Sequence, residues 1–301
     1  MKCDKCDNRA VIEIEDKRLC KDHFILHFEE TAMDTIKKYS LIKSDEKVAV
    51  ANSGGKDSLS LLLFLCKYFD RNKIISITID EGIPGYRDKT IEIMRRYTER
   101  LGVKYFIFSY KELFGSELSN IVKLNGVKIP CDVCGAFRRY ALNFAAKKLG
   151  ADKLATAHNL DDEAESIAMN LIQKDVKRLF RIGPSVGLIE DEMLVQRIKP
   201  FIFIHEKETM LYAILNNIYA LHEPCPYTKF GIRHEVSEWI KKIEDLNPGA
   251  KRRMVESAIN IKRNKAIEKN NLNHCKICGF PSSGEICEAC SYRISYGLLS
   301  K

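Results

Sequence analysis

Apolar and polar positions along the chain follow two periods that take turns. Short apolar runs with strand character occur at KVAVAN (47–52), IISITID (74–80), VKYFIFS (103–109) and DKLATAHN (152–159). Between and after them lie stretches whose apolar residues recur every three to four positions. These are DSLSLLLFLCKYF (57–69), RDKTIEIMRRYTERLG (87–102), AFRRYALNFAAKKLGA (136–151) and DDEAESIAMNLIQ (161–173). The first kind predicts strands and the second helices. Strand and helix in strict alternation predict an α/β fold, an open parallel sheet covered by helices on both faces with right-handed crossovers.

An amphipathic helix over FILHFEETAMDTIKKYSLI (24–42) leads into this series, and a short strand, VQRIKP (195–200), follows it. Beyond that the pattern turns helical and strongly basic, in KKIEDLNPGAKRRMVESAINIKRNKAIEK (241–269). The reading divides the chain into an N-terminal knuckle (1–26), a catalytic domain (27–200), a helical extension completing it (201–270) and a C-terminal knuckle (271–301). A chain of 301 residues accommodates one large domain with such attachments. No apolar run is long enough to span a bilayer, and the first residues, MKCDKCDNRA, lack an apolar signal core, so a cytoplasmic address without membrane is expected. The formal charge of +8 suits an anionic partner such as nucleic acid, and a basic helical surface is a candidate to meet it.

The cysteines sharpen the picture. All eleven but Cys66, which sits in an apolar helix, fall into spaced groups. Cys3, Cys6, Cys20 and His23 form C-x2-C followed by C-x2-H, and Cys275, Cys278, Cys287 and Cys290 form two C-x2-C pairs. Four soft or borderline ligands in two close pairs suit structural zinc, in short segments that lack a core of their own. The third group, Cys131 and Cys134 in IPCDVCGAFRR with Cys225 in HEPCPY, supplies three thiols. Three chemistries fit: an iron–sulfur cluster with one iron lacking a protein ligand, persulfide and disulfide exchange, or a third zinc completed by a histidine such as His222.

Ser53-Gly54-Gly55-Lys56-Asp57-Ser58 follows the first strand and opens a helix, where free amides and the helix dipole attract anions. Two glycines allow close approach to phosphate, and the serines add hydroxyls; the spacing is not that of a Walker loop. In an open α/β sheet this position lies outside the carboxyl ends of the strands, where ligands bind.

SGGKDS after the first strand resembles the PP-loop of the ATP pyrophosphatases, which cleave ATP between the α and β phosphates. HNLDDEAE (158–165), C-x2-C-G-x-x-R-R (131–139), the late Cys225 and the two terminal knuckles are similar to the archaeal and eukaryotic tRNA 2-thiouridine synthetases and their thermophile relatives. The resemblance implies a homodimer that adenylates the C2 oxygen of a tRNA uridine with ATP and replaces it with sulfur. It implies a [4Fe–4S] cluster on Cys131, Cys134 and Cys225. Ser53, Gly54, Gly55, Lys56, Asp57 and Ser58 then hold ATP, bordered by Ile79, Asp80 and Ala157. Arg138, where many relatives have lysine, would face the phosphates, and Asp57, Asp161 and Asp162 are candidates to hold Mg²⁺ or orient the base. Position 34 is favoured over position 54, and the sulfur arrives as sulfide or from a ubiquitin-like thiocarboxylate carrier. Two other classes remain: adenylation of another substrate, as in amidotransferases or tRNA-lysidine synthetase, and a zinc-knuckle RNA-binding adaptor without catalysis.

Overall fold

A computed structural model describes residues 1–299 apart from 15, 125–126, 128, 180–181, 187–190, 222, 229–231 and 265–272. The chain opens with a small hairpin, β1 (Ile12–Ile14) and β2 (Lys17–Leu19), and the long helix α1 (Lys21–Lys38). The alternating series then runs β3 (Val48–Ala51), α2 (Lys56–Tyr68), β4 (Ile74–Asp80), α3 (Arg87–Leu101) and β5 (Lys104–Ser109). Two short helices, α4 (Tyr110–Phe114) and α5 (Leu118–Ile121), lead to α6 (Pro130–Lys148), β6 (Lys153–Ala155), α7 (Leu160–Ile172) and α8 (Val176–Leu179). After β7 (Ser185–Val186) and β8 (Gln196–Ile198) come α9 (Glu206–Leu215), α10 (Arg233–Leu246) and α11 (Ala250–Asn264). A second hairpin, β9 (Asn273–His274) with β10 (Pro281–Ser282), and α12 (Glu288–Ser295) close the described chain.

Six strands form the central sheet in the order β5-β4-β3-β6-β8-β7, with only β7 antiparallel. β3 and β4 are apolar almost throughout because helices cover both faces, as a parallel sheet requires. The chain runs outward from β3 to β4 and β5, then returns to the other side for β6. The crevice between β3 and β6 is therefore the switch point of the sheet.

Helices cover the sheet by simple periodicity. Phe24, Phe28, Ala32 and Ile36 recur every fourth residue on α1 and are buried with Leu59, Leu62 and Leu65 of α2. Phe28 stacks on Tyr212 of α9 with centroids 4.0 Å apart and planes within 10°. Truncating Phe28 to alanine would cost about 3–5 kcal/mol. Gly102 stops α3 at φ +66°; its amide bonds the Glu99 carbonyl and the Val103 amide the Thr98 carbonyl, a Schellman end.

The terminal knuckles rest on this body. Ile14 and Leu19 enter the core formed by α1 and α2. On the other face Cys275, Cys287, Ala289 and Cys290 share a core with β4 and α6, and Phe280 packs on Tyr140 at 4.7 Å.

Three expectations change. α6 starts at Pro130, not Ala136, because proline is well suited to the first helical position; the C-x2-C pair therefore lies inside its first turns. The basic stretch 241–269 is two elements, since Asn247-Pro248-Gly249 breaks it between α10 and α11; residues 265–269 lie outside the described residues. The edge strand β7 has only two residues, too few to show a period. Among the described residues no helix is long and apolar enough to cross a membrane.

Candidate active site

The loop after β3 is held open by its own side chains. Asn52, buried at the strand end, accepts from the Gly54 amide at 3.0 Å and from Ser58 Oγ at 3.1 Å, and donates to Ser76 Oγ at 3.1 Å. Ser53 Oγ accepts from the Gly55 amide at 3.3 Å and lies 3.2 Å from Ser58 Oγ. Gly54 has φ +79°, and a Cβ there would sit 2.3 Å from the Thr90 carbonyl, so only glycine fits between this loop and α3. The result is a pocket of hydroxyls and amides at the N-terminus of α2, an anion site by construction. The Lys56 ammonium turns aside to Asp57 at 2.9 Å and Glu206 at 3.0 Å. Burial lowers its pKa, but these two carboxylates outweigh that and hold it above the usual lysine value. Burial likewise raises Asp57, against the pull of Lys56.

The two aspartates that open α7 go separate ways. Asp161 binds Lys251 of α11, accepts the Glu206 amide at 2.8 Å and lies 4.0 Å from His205, which ties helices together. Asp162 forms a capping box with Asn159 and meets Arg233 at 3.3 Å. Burial pushes its pKa up to about 7, although Arg233 and the Asn159 amide oppose this; the nearby Asp57 charge adds to it. Asp57 and Asp162, at the starts of α2 and α7, are close enough for the Asp57 charge to raise Asp162.

Beyond β4 a polar relay runs from the loop to the thiols. Arg87 donates to the Ser53 carbonyl at 2.8 Å and pairs with the buried Glu81 at 2.8 Å. Glu81 also holds Arg138 at 2.9 Å, and Arg138 donates to Cys134 Sγ at 3.3 Å. The Glu81 charge raises the already high Arg138 pKa further. Tyr110 donates to the Cys134 carbonyl at 2.7 Å. Cys131 and Cys134 project from one face of the first turns of α6, and Cys225 comes to them from the loop after α9. Burial raises Cys131, and the charges of Cys134 and then Cys225 raise it further, so the three thiols share one neighbourhood. His222 lies outside the described residues.

The terminal groups are tighter. In each, all four ligand atoms lie within 4.8 Å of one another. The Cys6–Cys20 and Cys278–Cys287 sulfurs are 3.7 Å apart; zinc–sulfur bonds of about 2.3 Å in a tetrahedron would place them about 3.8 Å apart. Among the described residues only these two sets bring three or more such ligands so close, so the central thiols do not gather round one ion in the same way.

Residues 26–217 match the family model of the PP-loop domain. A protein named cytoplasmic tRNA 2-thiolation protein 1 from Chlamydomonas reinhardtii is 36% identical over 297 residues, covering 96% of this chain and 83% of that one. The chain belongs to the tRNA 2-thiolation family. A probable sulfurtransferase from Methanocaldococcus jannaschii is 35% identical, covering 96% of this chain and 86% of its own. The solved U34-tRNA thiolase NcsA from Methanococcus maripaludis, with its [4Fe–4S] cluster, superposes with a TM-score of 0.86 at 35% identity, over 100% of this chain and 98% of that chain.

Within this 2-thiolation fold the loop residues expected at the phosphates lie between β3 and α2, with Ile79 and Asp80 at the neighbouring strand end and Ala157 following β6. Arg138 is committed to Glu81 and Cys134, and so stands on the thiol side. Sequence reasoning assigned nothing to Asn52, Glu81, Arg87 or Arg233. Glu81 directly follows the β4 end and Arg87 opens α3, and those positions were the available signal.

Proposed function

We propose that this protein is a tRNA uridine 2-thiolase acting at U34 and using ATP. The supporting observation is that one chain of contacts, Ser53 to Arg87 to Glu81 to Arg138 to Cys134, ties the glycine-rich loop to the thiols. The uracil C2 oxygen leaves poorly, so it first attacks the α-phosphate and expels pyrophosphate. The Gly54–Ser58 loop binds and orients the phosphates, and its amides and hydroxyls meet the developing charge. Asp57 and Asp162 would hold Mg²⁺, which neutralises phosphate charge when bound.

Cys131, Cys134 and Cys225 would hold a [4Fe–4S] cluster. Their wider spacing, the Arg138 donor on Cys134 Sγ and the α6 N-terminus all suit an anionic cluster on thiolates. Bound there with one iron lacking a protein ligand, the cluster would supply sulfide in its deprotonated form. The two terminal sets would each hold a structural zinc. Sulfide or a ubiquitin-like thiocarboxylate carrier is the sulfur source, and the working unit is a homodimer.

Purified protein given ATP, Mg²⁺, sulfide and unmodified tRNA should release AMP and yield 2-thiouridine at position 34. AMP without thiolation would favour adenylation of the lysidine type, and neither product an RNA-binding adaptor. Thiolation mapped to position 54 would correct the site.

A further inference from the structure

His158 has no place in the reading above, yet it lies beyond the carboxyl end of β6, beside the switch point of the sheet. It follows Ala157, two residues past the end of β6, and precedes Asn159, the residue that caps α7. Its ring is open to solvent but has protein around it. The charges of Arg138, which holds Cys134, and of Arg233, which holds Asp162, both reach it. Lys199 and Arg197 of the neighbouring β8 segment complete its charged surroundings. A base whose C2 must reach both the α-phosphate and the sulfur has to lie between those two groups.

The hydrogen bonds determine which face of the ring is on offer. His158 Nδ1 lies 3.0 Å from Thr156 Oγ1. The Thr156 hydroxyl also reaches the Ile198 carbonyl, at 3.4 Å. With its proton directed there, the threonine oxygen accepts from Nδ1–H, and in that tautomer the lone pair is on Nε2. Among the described residues no protein atom bonds Nε2. Desolvation by the surrounding protein, then Lys199, Arg197, Arg233 and Arg138, hold this partly open imidazole below its usual pKa, so it stands neutral.

Resting on the thiolation reading, we propose that His158 Nε2 accepts the N3–H of the target uracil, and so both selects uridine and takes the proton that adenylation releases. N3 is bonded to C2, the reacting carbon. When O2 bonds to the α-phosphorus and the bond to pyrophosphate breaks, C2–O becomes single. The N3–H electron pair forms the C2–N3 double bond, and the N3 proton passes to Nε2. Cytosine carries a lone pair at N3, which would oppose that of Nε2, and the site rejects it.

The test measures AMP formation by the intact protein with tRNA transcripts carrying U34 or C34. Wild type should turn over the U34 transcript and be slower on C34 by about 100-fold or more. His158→Ala should lose about 100-fold or more in kcat on U34, with the KM for ATP moved less than about threefold. His158→Gln offers Oε1 to N3–H but cannot carry the proton away. It should keep the preference for U34 and the KM for tRNA while remaining slow. A His158→Ala enzyme with near-wild-type turnover and the same preference overturns the role. So does one whose only change is a raised KM for ATP, which would put His158 at the nucleotide. Wild-type protein that forms no AMP from either transcript overturns the thiolation reading and this role with it.

Discussion

The terminal knuckles and the central crevice use the same side chain for opposite ends. In each knuckle four ligands face one point within 4.8 Å, and most of those cysteines are buried. In the crevice three thiols range from exposed (Cys131) to buried (Cys134), with a guanidinium, a phenol and charged neighbours around them. A closed set uses its ligands on structure and has none to offer a substrate. An incomplete set at the mouth of a switch point leaves one position for chemistry.

Disturbing the open set should give the largest effect on activity and the smallest on fold. Cys225→Ala, purified anaerobically, should lose thiolation by about 1,000-fold or more and lose the brown chromophore, with both zincs kept and little change in Tm. Iron-free protein that thiolates at the full rate from a persulfide donor would replace the cluster by thiol exchange. Asp57→Ala should follow, lowering AMP release by about 100- to 1,000-fold, because it removes a carboxylate at the phosphates. Near-normal turnover would take Asp57 out of the site.

Breaking a closed set should do the reverse. Cys287→Ala should release one zinc, measured by elemental analysis, and lower stability by about 2–5 kcal/mol in a denaturant titration. If zinc content and stability are unchanged, that set is not a metal site.

The smallest effect is specific to pH. The folded pKa of Asp162, about 7, lies above its ordinary value of 3.8. A raised carboxyl favours folding while it is protonated, and that contribution is lost as pH rises from about 4 through about 7. Asp162→Asn should therefore stabilise the ligand-free protein above pH 7 by about 1 kcal/mol, with solvent screening and the loss of Arg233 pairing included, and change little at pH 4. A lower Tm at pH 8 would show that the ion pair with Arg233 outweighs burial of the charge.

Much of this was legible in the residues. β3 and β4 stand out because burial on both sheet faces demands apolar runs, and the terminal ligand sets because tetrahedral ligation demands close pairs. Distant partnerships were not legible. That consecutive aspartates diverge, Asp161 to Lys251 and Asp162 to Arg233, depends on where α10 and α11 land against α7, which no local pattern encodes. Glu81 looked like any acidic residue after a strand. Its two arginine partners come from separate helices. The α6 start was misplaced because cysteine and glycine are weak helix formers, whereas Pro130 at the first position and packing against β4 override propensity.

Glu81 reaches the loop and Cys134 only through its two arginines, yet both take their position from it. Arg87 braces the loop from one of its oxygens and Arg138 braces Cys134 from the other. One carboxylate thus works as the hinge pin of a calliper whose jaws are the phosphate pocket and the thiols, and its length sets the gap a base must fill. Shortening it by one methylene, Glu81→Asp, keeps the charge and alters only the calibration. The variant should still bind ATP while sulfur and adenylate fall out of step.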